Sequence, residues 1–458
     1  MNINKMFLTI LMISCFTTGM ANRVYVHPFN LFSFENISCE VIQNDDHQQV
    51  ETVHPLTPLQ DNTEPDPRPS STGADLKNLT QRTAVLAELQ NSLGLRMYQT
   101  LSATQKNANT VLSPKNAFGT LVTLFLGASK KTAISYQQLL GLSRESDRPG
   151  CEYFMDGHKV LRTLQALSSH VDESRHEFKT LVWSFVHKDA DLSKDFVRGT
   201  QDFSDQSFVR AVDFLQPKEA EGQLNNFIQK TSGSKVKNIF TNVAPETNLL
   251  FASSVHFKGK WKYASDPNAT TEQQFWIDEK SSVQVPLMKY FGGHMYLNDA
   301  GRKCSVVRLS LSKRTYVMLV LPHEKTSLED IEKQLRTEVI STWNKHLKET
   351  HLVLYLPKLS LTAVTDLRSV LSKMTVEKYL MGADASFSRL SSKENFTVDQ
   401  VFNKDVLEVT EEGSEVFQRD AQTSHDRVLT FNRPFFFAVV EGNTNAILML
   451  GKIANPTI

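Results

Sequence analysis

The feature that most limits what this chain can fold into is a break in composition between Glu40 and Gly73. The run His54-Pro55-Leu56-Thr57-Pro58 and the run from Asp61 to Ser71 together carry five prolines and few apolar residues. A stretch of that kind cannot bury enough surface to offset the entropy of ordering it, so residues 32–75 are expected to form a flexible tail. The break separates a short N-terminal part from a body, residues 76–458, long enough to bury a sizeable core.

Ahead of the break, Met1 to Ala21 carries one early positive charge, Lys5, then the apolar run Met6 to Ile13, then the small residues Gly19 and Ala21. That order predicts a removable secretory signal over residues 1–21, because the apolar core is too short to span a bilayer. The protein is therefore expected to be secreted and extracellular, with no membrane span. The decamer that follows, Asn22 to Leu31, contains Val24, Tyr25 and Val26, which favour extended backbone. Pro28 lacks an amide hydrogen and biases His27 away from helix, so the decamer is expected to be an exposed, extended strand. Proteases bind extended backbone, and the bulky pair Leu31-Phe32 suits two adjoining pockets of an aspartic protease. The alternative is a strand that merely docks on the body.

Charge is balanced, 50 basic against 50 acidic residues, which leaves no electrostatic footprint for nucleic acid. The chain has no G-x-S-x-G elbow, no H-E-x-x-H pair, no phosphate loop and no C-x-x-C, so no catalytic residue, metal or cofactor is expected and the protein is not read as an enzyme. His187, His256 and His323 fall beside apolar runs and read as structural, while His27 lies in the decamer. Asn36, Asn78, Asn268 and Asn395 each open an Asn-x-Ser/Thr acceptor for N-glycosylation. Cys15 leaves with the signal, and of Cys39, Cys151 and Cys304 two should pair in a secreted protein.

The body alternates helical and strand-like patterns. Val85, Leu86, Leu89, Leu93 and Tyr98 recur at helical spacing between Thr83 and Leu101, and Ser113-Pro114 has the form of an N-cap and first-turn proline. Val307, Leu309 and Leu311 alternate in a strand from Lys303. Thr315 to Leu321 and His351 to Leu356 read as further strands, and Phe435 to Val440 pairs with Ala446 to Leu450 around Gly442-Asn443-Thr444-Asn445. Mixed helices and antiparallel strands imply an α+β fold.

Three groups of these residues resemble the serpin family. Asn109 to Pro114, with Gly127-Ala128, Thr132 and Gln138 to Leu142, is similar to its early signature. Phe257-Lys258-Gly259-Lys260-Trp261 looks like its strand-edge motif, and Phe431 to Phe435 with Leu450 to Pro456 its C-terminal signature. The resemblance implies a serpin fold of three β-sheets, a helical half and an exposed reactive loop, preceded by the flexible tail. In inhibitory members the cleaved loop inserts into the largest sheet, which requires small residues at the hinge. Here the hinge is Gly413, Ser414, Glu415 and Val416, and Val416, Phe417 and Gln418 stand where a run of small residues is expected. Burying Gln418 unpaired costs roughly 1–3 kcal/mol, and overpacking adds a similar amount. Asn116 stands where the family usually has Ser, and Asn403 where many members have His; the two are expected to bond each other or the backbone. The alternative function is that of an inhibitory serpin acting on a serine protease through the 414–430 loop.

Arg23, Val24, Tyr25, His27, Pro28, Phe29 and Leu31 make residues 22–31 an angiotensin-like decapeptide, as carried by some peptide-bearing serpins. The resemblance implies a hormone precursor cut at Leu31-Phe32 by a renin-like aspartic protease. A dipeptidyl carboxypeptidase would then cut between Phe29 and Asn30. The resulting vasoactive octapeptide would act on a membrane receptor through Arg23, Tyr25, His27, Pro28 and Phe29. The settings of Cys39 and Cys151 resemble those of cysteines that form a redox-sensitive bridge between tail and body in such members, which leaves Cys304 as a core residue.

Overall fold

The computed structural model describes residues 27–34, 50–56, 63–67, 79–144, 155–172, 177–233, 236–311, 314–415 and 427–457. Helix α1 (Pro28–Phe32) and strand β1 (Thr52–Val53) precede α2 (Leu79–Thr104), β2 (Thr110–Leu112), α3 (Pro114–Gly127), α4 (Lys130–Leu139) and α5 (Gly157–Asp172). Next come β3 (Glu177–His187), β4 (Leu192–Ser193), α6 (Lys194–Phe203), β5 (Gln206–Val212), α7 (Pro217–Thr231), β6 (Leu249–Tyr263), β7 (Thr271–Trp276) and β8 (Ser282–Asp299). Strands β9 (Cys304–Ser310) and β10 (Thr315–Pro322) lead to α8 (Leu328–Glu332), α9 (Thr337–His346), β11 (Lys348–Pro357) and β12 (Leu359–Asp366). The chain ends in α10 (Leu367–Lys373), α11 (Glu377–Leu380), β13 (Gln400–Glu415), β14 (Arg427–Thr430), β15 (Phe435–Glu441) and β16 (Ile447–Ile453).

Among the described residues the strands form three sheets, of two, nine and five strands. In the nine-stranded sheet Val307, Leu309 and Leu311 share one apolar cluster, as their alternation predicts, and β15 pairs antiparallel with β16. The five-stranded sheet runs β12-β13-β6-β3-β5, and its centre is a parallel seam between β13 and β6.

Helix α3 fixes the relation of the helices to that seam. Ser113 Oγ accepts the Asn116 N–H at 3.2 Å and Pro114 occupies the first turn, so the cap forms as its residues predict. Every residue of α3 is buried, and a Cβ at Gly119 would stand 2.0 Å from the Phe203 ring, so only glycine permits this approach to α6. On α2, Leu86, Leu93 and Tyr98 are buried while Val85 and Leu89 pack at the margin of the same core.

The stretch read as a tether makes specific contacts where it is described. Strand β1 pairs with β4, and the Leu56 carbonyl accepts from the Ala211 N–H at 3.1 Å. Asp66 takes a 2.5 Å contact from the fully buried Arg210, and its Oδ2 accepts the Val209 N–H at 2.7 Å. These segments cover the outer edge of β5, which would otherwise present unpaired backbone to solvent.

Candidate functional site

The described part of the decapeptide is a helix, not the exposed extended strand expected from its residues. His27 is non-helical (φ −57°, ψ 134°) and its Nδ1 accepts the Phe29 N–H at 3.2 Å, which makes it the N-cap of α1. Pro28 sits in the first turn, where a missing amide costs nothing and the fixed φ suits a helix. The same missing amide that argued against helix is therefore compatible with starting one. Phe29 and Leu31 are buried and Phe32 is 0 % exposed; Leu31 and Phe32 belong to the main core.

The N-terminal end of α5 builds the seat of the Leu31-Phe32 bond. Asp156 Oδ1 accepts the Lys159 N–H at 3.0 Å, while the Asp156 N–H donates to the Phe32 carbonyl at 2.5 Å. Lys159 Nζ donates to the Ser33 carbonyl at 3.2 Å, and Ser33 forms an antiparallel bridge with Met155. Arg144 donates to Asn30 Oδ1 at 2.9 Å. Behind this end of α5, His158 Nδ1 lies 2.9 Å from Asp202 and Nε2 3.8 Å from Asp195. Burial disfavours the charged ring, yet the two carboxylates outweigh it and raise the His158 pKa above its ordinary value. No local motif in the sequence marks Arg144, Asp156 or Lys159 for this role, because what they hold comes from a distant part of the chain.

A second set of residues surrounds the seam. Strand β13 stays paired with β6 as far as Glu415, with an irregularity between Val409 and Gly413. Trp261 Nε1 donates to the Thr410 carbonyl at 2.7 Å, Lys258 and Lys260 each approach Glu412 to 3.6 Å, and Lys358 reaches Glu411 at 2.9 Å. A Cβ at Gly413 would lie 2.2 Å from the Ala264 nitrogen, so the hinge glycine is pressed against β6. Ser414 and Glu415 continue the strand, and Val416 lies outside the described residues. Under the seam, Asn116 and Asn403 do not bond each other. Asn116 Nδ2 donates to Asp405 Oδ1 at 3.1 Å, and the Asn403 amide lies 2.9 Å from Ser253 Oγ and 3.2 Å from Thr120 Oγ1. Asp405, fully buried, was not singled out from the sequence.

The fold has known relatives. The family model for Serpin (serine protease inhibitor) matches residues 88–456. This chain belongs to the serpin family. It is 30% identical to angiotensinogen of Bos taurus, over 95% of this chain and 94% of that protein. It is 29% identical to a serine protease inhibitor of Rattus norvegicus, over 84% of this chain and 91% of that protein. The crystal structure of mouse protein-Z dependent protease inhibitor superposes with a TM-score of 0.73 at 24% identity, covering 83% of this chain and all of that one.

The remaining expected sites of this serpin are distributed as follows. Asn268 is exposed on the turn Pro267–Ala269, and Asn395 is exposed with φ +55°. Arg23, Tyr25, Asn36, Cys39, Asn78 and Cys151 lie outside the described residues. Cys304 is a free cysteine, fully buried in the core, and burial pushes its thiol up to about 12. His187 Nδ1 accepts the Asp189 N–H at 3.2 Å and His256 Nε2 faces Glu408 at 3.4 Å, in keeping with structural roles. Among the described residues no helix is long and apolar enough to cross a membrane, and no cluster of three metal-ligating side chains occurs.

Proposed function

We propose that this serpin is a secreted hormone precursor from which a renin-like aspartic protease releases the decapeptide Asn22 to Leu31 by cutting Leu31-Phe32. The observation that carries the reading is a similarity to angiotensinogen that extends over 95% of the chain, well beyond the family domain, together with the residues of the decapeptide. A dipeptidyl carboxypeptidase then cuts between Phe29 and Asn30. The octapeptide Asn22 to Phe29 acts on a membrane receptor through Arg23, Tyr25, His27, Pro28 and Phe29, regulating blood pressure and fluid balance. In the protein as folded, Leu31 and Phe32 are buried in a helical segment, whereas a protease cleft takes extended backbone. Helix α1 must therefore leave its seat and unwind before the bond is cut. Burial of Phe32 alone is worth about 1.5–3 kcal/mol against that step.

Asn268 and Asn395, both exposed, carry glycans in this reading, and Asn36 and Asn78 complete the set. Mass spectrometry of the peptides released by a renin-like protease tests the proposal. Recovery of residues 22–31 is expected. Cleavage confined to the 414–430 loop, or an SDS-stable complex with a serine protease, would instead establish the inhibitory reading, which the pattern Glu412 to Glu415 keeps in play.

A further inference from the structure

Six polar side chains with essentially no exposure lie between α3 and the seam: Ser113 from the N-cap of the helix, Asn116 and Thr120 from the helix, Ser253 from β6, Asn403 and Asp405 from β13. Five of them are neutral, and Asp405 is the only ionisable member. Its carboxyl has two partners, the Ser113 N–H on Oδ2 at 3.0 Å and the Asn116 amide at Oδ1, 3.1 Å away. Neither partner carries a charge.

Among the described residues, the elements around Asp405 supply no counter-ion. Opposite it stand Val255 on β6 and Ala363 on β12, both apolar. Lys115 on α3 is engaged elsewhere, with Ser168 at 2.8 Å and against the Phe178 ring. His256 on β6 faces Glu408. Lys404, next in the chain, has its own pKa lowered by burial and by Lys237, and does not act on Asp405. A buried carboxylate without an opposite charge is costly, and protonation removes the cost.

We propose that Asp405 is held as a neutral carboxylic acid that fastens α3 to the seam of the five-stranded sheet and loosens it on ionisation. The acid form can donate from Oδ1 to the Asn116 side-chain oxygen once that amide is turned. This satisfies an oxygen that is buried and has no hydrogen-bond partner in the present orientation, and moves the amide nitrogen off Asp405 in exchange. The carboxylate form keeps the Ser113 and Asn116 contacts and adds a bare buried charge.

Burial drives the Asp405 pKa up to about 7, against a smaller lowering by Ser113 and Asn116. A group raised in the folded state binds its proton more tightly there than in the unfolded chain. Stability is therefore greatest below the unfolded carboxyl value and is lost as pH rises towards the folded value. The folding constant should fall by up to about tenfold per pH unit between about pH 4 and pH 7, superimposed on whatever other groups contribute.

The test is urea denaturation of the full chain and of Asp405→Asn across that range. The amide is neutral, nearly isosteric and able to donate to Asn116, so the variant should lack the component of the slope due to Asp405 and should exceed the wild type most at the alkaline end. Parallel slopes in the two proteins would overturn the proposal. If Asp405→Asn does not fold, infrared spectroscopy of the wild type decides. A buried carboxylic acid band present in mild acid and lost with ionisation as pH rises past neutrality supports the assignment. A spectrum showing only carboxylates at mildly acid pH refutes it.

Discussion

Lys159 shows how a single side chain bears on the site. Its ammonium donates to the Ser33 carbonyl, one residue beyond the bond that the proposed protease must reach, and it starts from a helix that Asp156 caps. A hydrogen bond from a charged group is worth about 1.5–3 kcal/mol when lost from a partly buried site. Lys159→Ala should therefore raise the rate of cleavage at Leu31-Phe32 by at least about tenfold if unseating precedes the cut. The global unfolding midpoint should move little. Single-turnover kinetics with a renin-like protease measure the first quantity and thermal denaturation the second; an unchanged cleavage rate would mean that this contact does not restrain the segment. The residues of the decapeptide were legible in the sequence, but their conformation was not. Pro28 excludes helix N-terminal to itself and permits helix after itself, and only His27 acting as a cap and the core pocket for Phe32 select the second outcome. Asp405 escaped notice for a similar reason: nothing in Lys404-Asp405-Val406 distinguishes a surface carboxylate from one with no exposure, because α3 supplies the burial from far away in sequence.

Elements were more readable than sites. The helix around Leu86 to Tyr98, the Ser113-Pro114 cap, the β9–β10 strands and the β15–β16 pair all rest on local pattern, and each appears where its residues put it. The seam is different, since the parallel neighbours β6 and β13 are joined by a long connection and no local signal pairs them. Residues 416–426 follow β13 directly, so loop insertion would have to occur at that seam, in the five-stranded sheet and not in the larger nine-stranded one. A new strand would separate Trp261 from Thr410 and part Ser253 from Asn403, and it would carry Val416, Phe417 and Gln418 into a packed interior. Nicking the 416–426 stretch should therefore leave the melting temperature within a few degrees of the intact protein. A large rise on cleavage, read by calorimetry, would show that the strand does insert despite these side chains.

At the scale of the whole molecule, the contact between tail and body that bears on the cut is the bridge beside α1, and Cys39 and Cys151 flank it in sequence. Ser33 and Met155 form an antiparallel bridge. Cys39 lies six positions after Ser33 and Cys151 four positions before Met155; the proposed pairing of the two rests on the resemblance to peptide-bearing serpins, with Cys304 buried and free in the core. A bridge closing a loop of this length restricts the unfolded chain by about 4–5 kcal/mol on the chain-entropy account, although measured gains are often smaller. About a third of that loop, residues 40–75, is tail, and there the consequence falls on the seat of α1. Oxidation shortens the leash on the segment after Phe32 and limits the poses that Leu31-Phe32 can take in a protease cleft; reduction lets α1 leave along more paths. The two redox states should therefore be cut at different rates; these mechanics leave the sign open, and the resemblance to peptide-bearing serpins implies that the oxidised form is the faster. Cleavage kinetics of the wild type, Cys39→Ser and Cys151→Ser under non-reducing conditions measure this directly. The two variants should match each other and the reduced wild type. Equal rates in all of these proteins would reduce the bridge to a tether that protects the tail without governing the cut.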